Sequence, residues 1–166
     1  MNRLALALLA GAVLGVIPAR ATSVPISRVI DLMGSAQKRV LVYVPYLTDT
    51  TFADALRAAK VDRTRSGLQV IVVTVPFFAA KEDALTNALA LAGLPIVEAQ
   101  VPSTTSYVLV DDYLFSSAQI GRVGGAQDVR LMQPGDTNTF LKWFKGAAQA
   151  GRLVTAFEAY RRTQRR

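Results

Sequence analysis

Side chains with the potential for chemistry are concentrated between positions 104 and 119 of the chain. The groups in this stretch are hydroxyls, carboxylates and one amide: Thr104, Ser106, Asp111, Asp112, Ser116, Ser117 and Gln119. A hydroxyl such as that of Thr104 or Ser106 becomes a useful nucleophile only beside a base, and the nearest candidates are Asp111 and Asp112. The two carboxylates could instead hold a divalent metal, or they could form a turn between two strands. Successive strand residues face opposite ways, which favours the turn.

The composition excludes several classes of enzyme. The 166 residues contain no histidine and no cysteine. Mechanisms that need an imidazole base, a thiolate nucleophile or a Cys- or His-ligated metal are therefore excluded. We expect neither a metal nor a cofactor, and the sequence favours a protein that is not an enzyme.

The first 21 residues have the pattern of a secretory signal peptide. A short basic start with Arg3 precedes an uncharged apolar run over positions 4–17, and Ala19-Arg20-Ala21 fits an A-x-A cleavage signal. The apolar run is shorter than the roughly 20 residues that span a bilayer. We therefore expect cleavage after Ala21 and an exported protein, periplasmic or extracellular, whose single domain over 22–166 has no transmembrane segment.

Alternating helical and strand periods predict the elements that position the polar stretch. Apolar stripes at helical spacing are followed by strands in the first half, and helices are predicted around 26–33, 52–59 and 81–92 with strands at 39–44, 68–75 and 94–97. In the second half, strands at 106–110 and 113–117 flank Asp111-Asp112 and predict a hairpin. A strand at 128–132 and a helix from Asp136 or Thr137 to Ala150 follow, and an amphipathic pattern continues to the end. This order predicts an α/β fold with a mixed β-sheet sandwiched by helices.

Several segments in this order resemble a phospholipase D-like domain, as its single-motif half. They are VLVYVPYLTD at 40–49, GLQVIVV at 67–73, GLPI at 93–96, TTSYVLVDDYLFSSAQIG at 104–121 and FEAY at 157–160. The C-terminal segment is also similar to the ending of small secreted nucleases of that superfamily. The resemblance covers about residues 26–162 and depends on element order and spacing more than on motif identity.

The resemblance implies a degenerate motif. In the family, one strand carries H-x-K-x4-D and the next carries G-S-x-N. If Asp111 is the motif aspartate, Thr104 stands at the histidine position and Ser106 at the lysine position, while the second motif corresponds to Ser116, Ser117 and Gln119 with only Ser117 retained. The family's phosphohistidine chemistry needs a nucleophile and an acid that this chain lacks.

These observations predict an exported, catalytically degenerate phospholipase D-like protein that binds nucleic acid or another phosphate-bearing polymer. One alternative is a phosphodiesterase or nuclease with a rebuilt site that uses no histidine. A second alternative is a structural subunit of a cell-envelope assembly. Family members with one motif per chain build one cleft from two subunits, so the resemblance also implies a homodimer.

Basic residues near the C-terminus are candidates for contact with a polyanion. The chain has 19 Lys and Arg against 12 Asp and Glu, a net charge of +7, and such a balance suits polyanionic partners. Positions 142–166 hold one acid, Glu158, and these cations: Lys142, Lys145, Arg152, Arg161, Arg162, Arg165 and Arg166. Replacing the arginines from 161 onward is expected to weaken binding and to leave folding intact. Four aromatic residues could stack bases, although their places in or just after apolar strands favour packing: Tyr43, Tyr46, Phe77 and Phe78.

Overall fold

The apolar, β-branched runs of the sequence form the inner strands of one mixed sheet in the computed structural model, which describes residues 22–62 and 66–164. In chain order, the strands of the described residues are β1 (Thr22–Pro25), β2 (Arg39–Tyr43), β3 (Gln69–Thr74), β4 (Ile96–Glu98), β5 (Ser106–Val110), β6 (Tyr113–Ser117), β7 (Asp128–Leu131) and β8 (Arg152–Leu153). The helices are α1 (Ile26–Ser35), α2 (Thr50–Val61), α3 (Pro76–Ala79), α4 (Thr86–Leu91), α5 (Pro134–Ala150) and α6 (Ala156–Gln164). The predicted α/β fold with a mixed sheet between helices is confirmed.

The sheet consists of a parallel part and an antiparallel part that meet in its middle. The strand order is β1-β7-β6-β5-β2-β3-β4-β8. Strands β2, β3 and β4 are parallel, whereas β5, β6 and β7 form an antiparallel meander. The two parts join where β2 pairs with β5 in antiparallel register, with Val40 opposite Val110 and Tyr43 opposite Tyr107. The carboxyl end of β2 therefore lies beside the first residue of β5.

Helices cover both faces of the sheet. Val40 and Val42 of β2 point into a core shared with α1, α2 and α6, while Leu41 and Tyr43 point to the opposite face, against α5. All four side chains are buried. Successive side chains of β2 thus pack into two different cores, one on each face of the sheet. This explains why β2 has a continuous apolar sequence.

The helix predicted over 81–92 is wrong in extent. Within the segment only Thr86–Leu91 is helical, as α4, and turns separate it from the short helix α3 that precedes the segment. Leu85 N–H donates to Leu47 C=O at 2.9 Å, which ties this segment to the loop after β2. Pro76 starts α3 at a position where a missing N–H costs nothing.

Other boundaries differ by smaller amounts. Strand β4 begins at Ile96, two residues later than predicted, and α5 begins at Pro134 because Gln133 caps it with Asp136 as its capping-box partner. The edge strands β1 and β8 were not predicted. In the described parts of the chain, none of the helices combines the length and apolarity needed to cross a membrane. The predicted signal peptide, 1–21, and the cations Arg165 and Arg166 lie outside the described residues.

Candidate functional site at the carboxyl edge of the sheet

The structure brings Ser106 and Ser117 together on one face of the sheet. The two residues are direct cross-strand partners in β5 and β6. Ser106 is 1% exposed, and its hydroxyl donates to Ile120 C=O at 3.3 Å. The Ser117 hydroxyl accepts from Gln119 N–H at 3.2 Å, and both Gln119 and Thr104 are exposed. Thr104 precedes β5 and lies outside the strand.

The loop after β6 closes this edge of the sheet. Gly121 C=O accepts from Thr48 N–H at 2.7 Å and from Asp49 N–H at 2.9 Å, which holds the loop against the one after β2. Gly121 has φ of +80°, and a Cβ there would lie 2.8 Å from Val44 Cγ2. Glycine is required here both by the backbone conformation and by the close approach. Of the motif positions on this face, Ser106 is therefore buried beneath the loop, whereas Thr104 and Gln119 stay exposed.

Ser116 lies on the other face of the sheet from Ser106 and Ser117. Its hydroxyl donates to Met132 Sδ at 3.1 Å. The serine pair predicted from the second motif is thus divided between two faces, because adjacent residues of β6 point in opposite directions. Ser116 and Ser117 cannot donate together to one phosphate on either face.

Asp111 lies at the far end of β5 from Ser106. It occupies the hairpin turn, as the sequence favoured, with φ of +51°. Its carboxylate accepts from three successive backbone N–H groups, those of Gln37 at 3.0 Å, Lys38 at 2.7 Å and Arg39 at 3.0 Å. Partial burial alone would raise the Asp111 pKa, but the three donors outweigh it and hold that pKa below its ordinary value.

The neighbouring Asp112 is engaged with cations. Its carboxylate pairs with Lys38 Nζ at 3.1 Å and Arg39 Nη2 at 3.0 Å, and these hydrogen bonds lower its pKa. Neither aspartate can therefore serve as a base for Ser106, which lies about 16 Å from Asp111 along a strand that rises about 3.3 Å per residue, or for Thr104 beyond it. Across the residues that the structure describes, no three acidic side chains gather in a way that could hold a metal ion.

A group of aromatic residues surrounds a lysine at the same edge of the sheet. Lys81 Nζ lies 5.5 Å from the ring centroid of Tyr46, 5.6 Å from that of Phe77 and 5.7 Å from that of Phe78. Phe77 is 69% exposed, and Tyr46 and Phe78 are half-buried. We call these four residues the aromatic platform. Tyr43, in contrast, is a core residue and cannot stack on a ligand.

Two neighbours adjust the electrostatics of the aromatic platform. The Tyr46 hydroxyl donates to the Asp83 carboxylate, and this hydrogen bond raises the pKa of Tyr46. The positive charge of Arg122 acts in the opposite direction and lowers that pKa. Arg122 belongs to the loop that closes the motif edge, and Val123 N–H in that loop donates to Thr48 Oγ1 at 3.1 Å. The aromatic platform and the closed motif are therefore adjoining parts of one surface.

Arg152 and Arg162 are held in an ion-pair network. The Glu98 carboxylate is almost fully buried and is paired with Arg162 at 2.5 Å and Arg152 at 2.6 Å. Glu158 pairs with both arginines as well, and the hydrogen bond from Arg152 is the main reason that its pKa is lowered. The network joins α6 to the end of β4. It engages two of the cations that the sequence assigned to polyanion binding.

The other predicted cations that fall within the described residues remain at the surface. Lys142 and Lys145 are exposed on α5, and Arg161 is exposed on α6 with its guanidinium 5.9 Å from the ring centroid of Phe157. No ion pair is formed by these three side chains in the described ranges 22–62 and 66–164. They are the part of the predicted basic surface that the structure leaves accessible.

Solved structures share the fold of this chain at low sequence identity. Nuc from Salmonella typhimurium, a phospholipase D family member, aligns with a TM-score of 0.63 and 18% identity over 78% of this chain and 90% of its own. NucT from Helicobacter pylori aligns with a TM-score of 0.65 and 9% identity, covering 81% of this chain and 99% of its own. TrmBL2, an archaeal chromatin protein described as having a novel mode of DNA binding, aligns with a TM-score of 0.56 and 15% identity over 83% of this chain and 56% of its own.

The comparisons confirm the phospholipase D-like fold that the sequence predicted. Neither a protein-family model nor a curated protein matches the sequence. The alignments span nearly the whole of Nuc and NucT, so the shared fold includes almost all of both neighbours.

Proposed function

We propose that this protein binds nucleic acid without hydrolysing it, at the carboxyl edge of its sheet. The observation that carries the proposal is the arrangement there: motif positions without a nucleophile or an acid, adjoining an exposed aromatic platform. The phospholipase D-like fold supports a phosphodiester-related role. Catalytic degeneracy is inferred from the absence of histidine and from the engaged hydroxyls of Ser106 and Ser117.

The aromatic platform suits bases that are not paired. An exposed ring offers a π-face on which any base can stack, and base–aromatic stacking depends little on sequence. Lys81 and Arg122 supply cations within reach of the flanking phosphates. A duplex keeps its base faces covered, so the proposal favours single strands.

A rebuilt catalytic site is less well supported. At the motif, Ser106 is buried and Ser117 is bonded to the backbone, Thr104 is exposed, and the two aspartates are engaged at the opposite end of β5. A nucleophilic serine would need a base within hydrogen-bond distance.

Labelled single-stranded DNA should bind and be recovered intact. Affinity should fall with salt, with a slope of about −0.7 per phosphate contact. Phe77→Ala should weaken binding about 10-fold, since one base stack contributes roughly 1–3 kcal/mol. Titration at several salt concentrations, followed by electrophoresis of the DNA, measures both properties.

Phe157→Ala is the matched control because Phe157 is 71% exposed, close to the 69% of Phe77, but lies on α6. It should bind DNA as the parent protein does. Equal losses in both variants, or cleavage that Ser106→Ala abolishes, would refute the proposal.

The exposed position of Phe157 also supports the alternative that the protein is a structural subunit of a cell-envelope assembly. Helix α6 presents Phe157 and Tyr160, 71% and 54% exposed, to the surface. A protein partner docking on these rings would be insensitive to salt and would be lost in Phe157→Ala. The same pair of variants therefore distinguishes this alternative from nucleic-acid binding.

We further propose that the protein acts outside the cytoplasm after removal of 1–21, and that it forms a homodimer. The motif resemblance supports the dimer, because one motif per chain supplies half of a two-subunit cleft. Light scattering of residues 22–166 should give twice the monomer mass at micromolar concentration. A monomer mass throughout that range would contradict the dimer.

A further inference from the structure

A second concave site lies on the opposite face of the sheet from Ser106. It is a cavity of about 300 Å³ between α5 and the strands β5 and β6. This volume is at the lower end of the range of sites for small organic molecules. The residues that matter for recognition are Ser103, Tyr107, Asp136, Thr139, Phe140 and Trp143.

One wall of the cavity is made of aromatic rings in mutual contact. The ring centroid of Trp143 lies 5.7 Å from that of Phe140 and 6.1 Å from that of Tyr107, and Tyr43 meets Trp143 edge-on at 5.1 Å. At these distances the rings contact one another and leave no space for an ion between them. They therefore form a continuous wall. Such a wall suits a flat ligand that stacks against it.

The base of this wall is rigid. The Tyr43 hydroxyl donates to Ser103 C=O at 2.6 Å, and burial raises the pKa of Tyr43 to about 12. Tyr43 therefore stays neutral and bonded through the physiological pH range. The ring against which Trp143 packs edge-on is therefore fixed before any ligand arrives.

Asp136 gives the cavity its charge. One carboxylate oxygen, Oδ2, accepts from Gln133 N–H at 3.1 Å as part of the cap of α5. The other oxygen makes no hydrogen bond to any residue that the structure describes. No lysine or arginine lines the cavity, so its polar end is an acceptor with net negative charge.

We propose that this cavity binds a flat aromatic ring that carries an amino or amidinium group. The ring stacks on Trp143 and meets Tyr107, which is inclined by 59° to Trp143, with its edge, and its N–H donors reach Asp136. This site shares no residue with the aromatic platform, so substitutions can test the two proposals separately.

Trp143 provides a direct readout because it is the only tryptophan in the chain. Its fluorescence should change saturably with benzamidine. Benzamide, a neutral ligand of nearly the same shape, should bind about 10-fold more weakly, as expected when a hydrogen bond loses its charge. Benzoate should give no saturable change. Equal affinities for the three probes, or linear quenching by all of them, would overturn the proposal.

Asp136→Asn tests the assigned carboxylate while keeping an oxygen for Gln133 N–H. It should bring the affinities for benzamidine and benzamide to within about 2-fold of each other. Asp128→Asn, an exposed acid outside the cavity, should leave the preference unchanged. Thr139→Phe changes an exposed helix position at the cavity and should block all three probes, which provides a test even if Asp136→Asn folds poorly. A preference for benzamidine that survives both cavity substitutions would refute the site.

Discussion

Arg162→Ala is expected to lower the free energy of unfolding by about 3 kcal/mol. Arg162 donates to both oxygens of Glu98, at 2.5 and 3.1 Å, and the Glu98 side chain is 1% exposed. Removing one partner of a buried pair leaves a charge without compensation, and this costs about 3–5 kcal/mol. Arg152 still pairs with Glu98, which places the expected loss at the lower end. Urea denaturation followed by circular dichroism would measure it.

Arg161→Ala is the matched control, because Arg161 is the preceding residue of the same helix and is exposed. It should change stability by no more than about 0.5 kcal/mol. Similar losses in the two variants would show that the network does not stabilise α6. The prediction that the arginines from 161 onward can be replaced with folding intact stays a prediction, and the ion pairs of Arg162 with Glu98 and Glu158 lead us to expect an exception at that residue. Polyanion binding can be tested without disturbing Glu98 by substituting the exposed cations Lys142, Lys145 and Arg161.

Asp111→Ala is expected to destabilise the fold by about 3 kcal/mol. The change leaves three backbone N–H groups without their carboxylate acceptor, and it places alanine at φ of +51°. Asp111→Asn should cost less, because asparagine keeps one acceptor oxygen and tolerates the left-handed conformation. Thermal unfolding of the two variants beside the parent protein gives the ranking. Equal stability of Asp111→Ala and the parent would show that this turn does not stabilise the protein.

The advantage of aspartate over asparagine at position 111 should depend on pH. The pKa of Asp111 is lower in the folded protein than in the unfolded chain, where it is about 3.9. The stabilisation is therefore complete at neutral pH and is lost as the pH falls through the folded-state pKa. The stability difference between the parent and Asp111→Asn should shrink in acid. A difference that stays constant down to pH values well below about 3.9 would contradict this assignment.

The inner elements of the fold could be predicted from the sequence because their periodicity is strong. Strand β2 is a continuous apolar run, and α1 has one apolar stripe. The edge strand β1, TSVP, contains proline and has no such run, and it forms by pairing with β7, far along the chain. The helix predicted over 81–92 is wrong in extent, and its Leu85 N–H, which a continuous helix would bond to the carbonyl four residues earlier, instead donates to Leu47 C=O.

The candidate sites were predictable only where their residues are close in sequence. The hairpin at Asp111 follows from two flanking strands. The Glu98 network does not, since its arginines are 54 and 64 positions away and look like solvent-exposed cations. The cavity wall combines Tyr107 with Phe140 and Trp143 from another element. Its one local signal was the helical spacing of Asp136, Thr139, Phe140 and Trp143, which places the four on one side of α5.

Folding of this chain must join two locally assembled parts of the sheet. The meander β5–β6–β7 pairs strands that are neighbours in sequence, whereas the pairing of β2 with β5 closes a long loop. Arg39 and Asp111, which meet at that join, are 72 positions apart, and closing such a loop costs about 4 kcal/mol of chain entropy. The Asp111 carboxylate fastens the turn of the meander to the start of β2 at this junction. We therefore expect this contact to fix the register in which the two parts of the sheet meet when the chain folds.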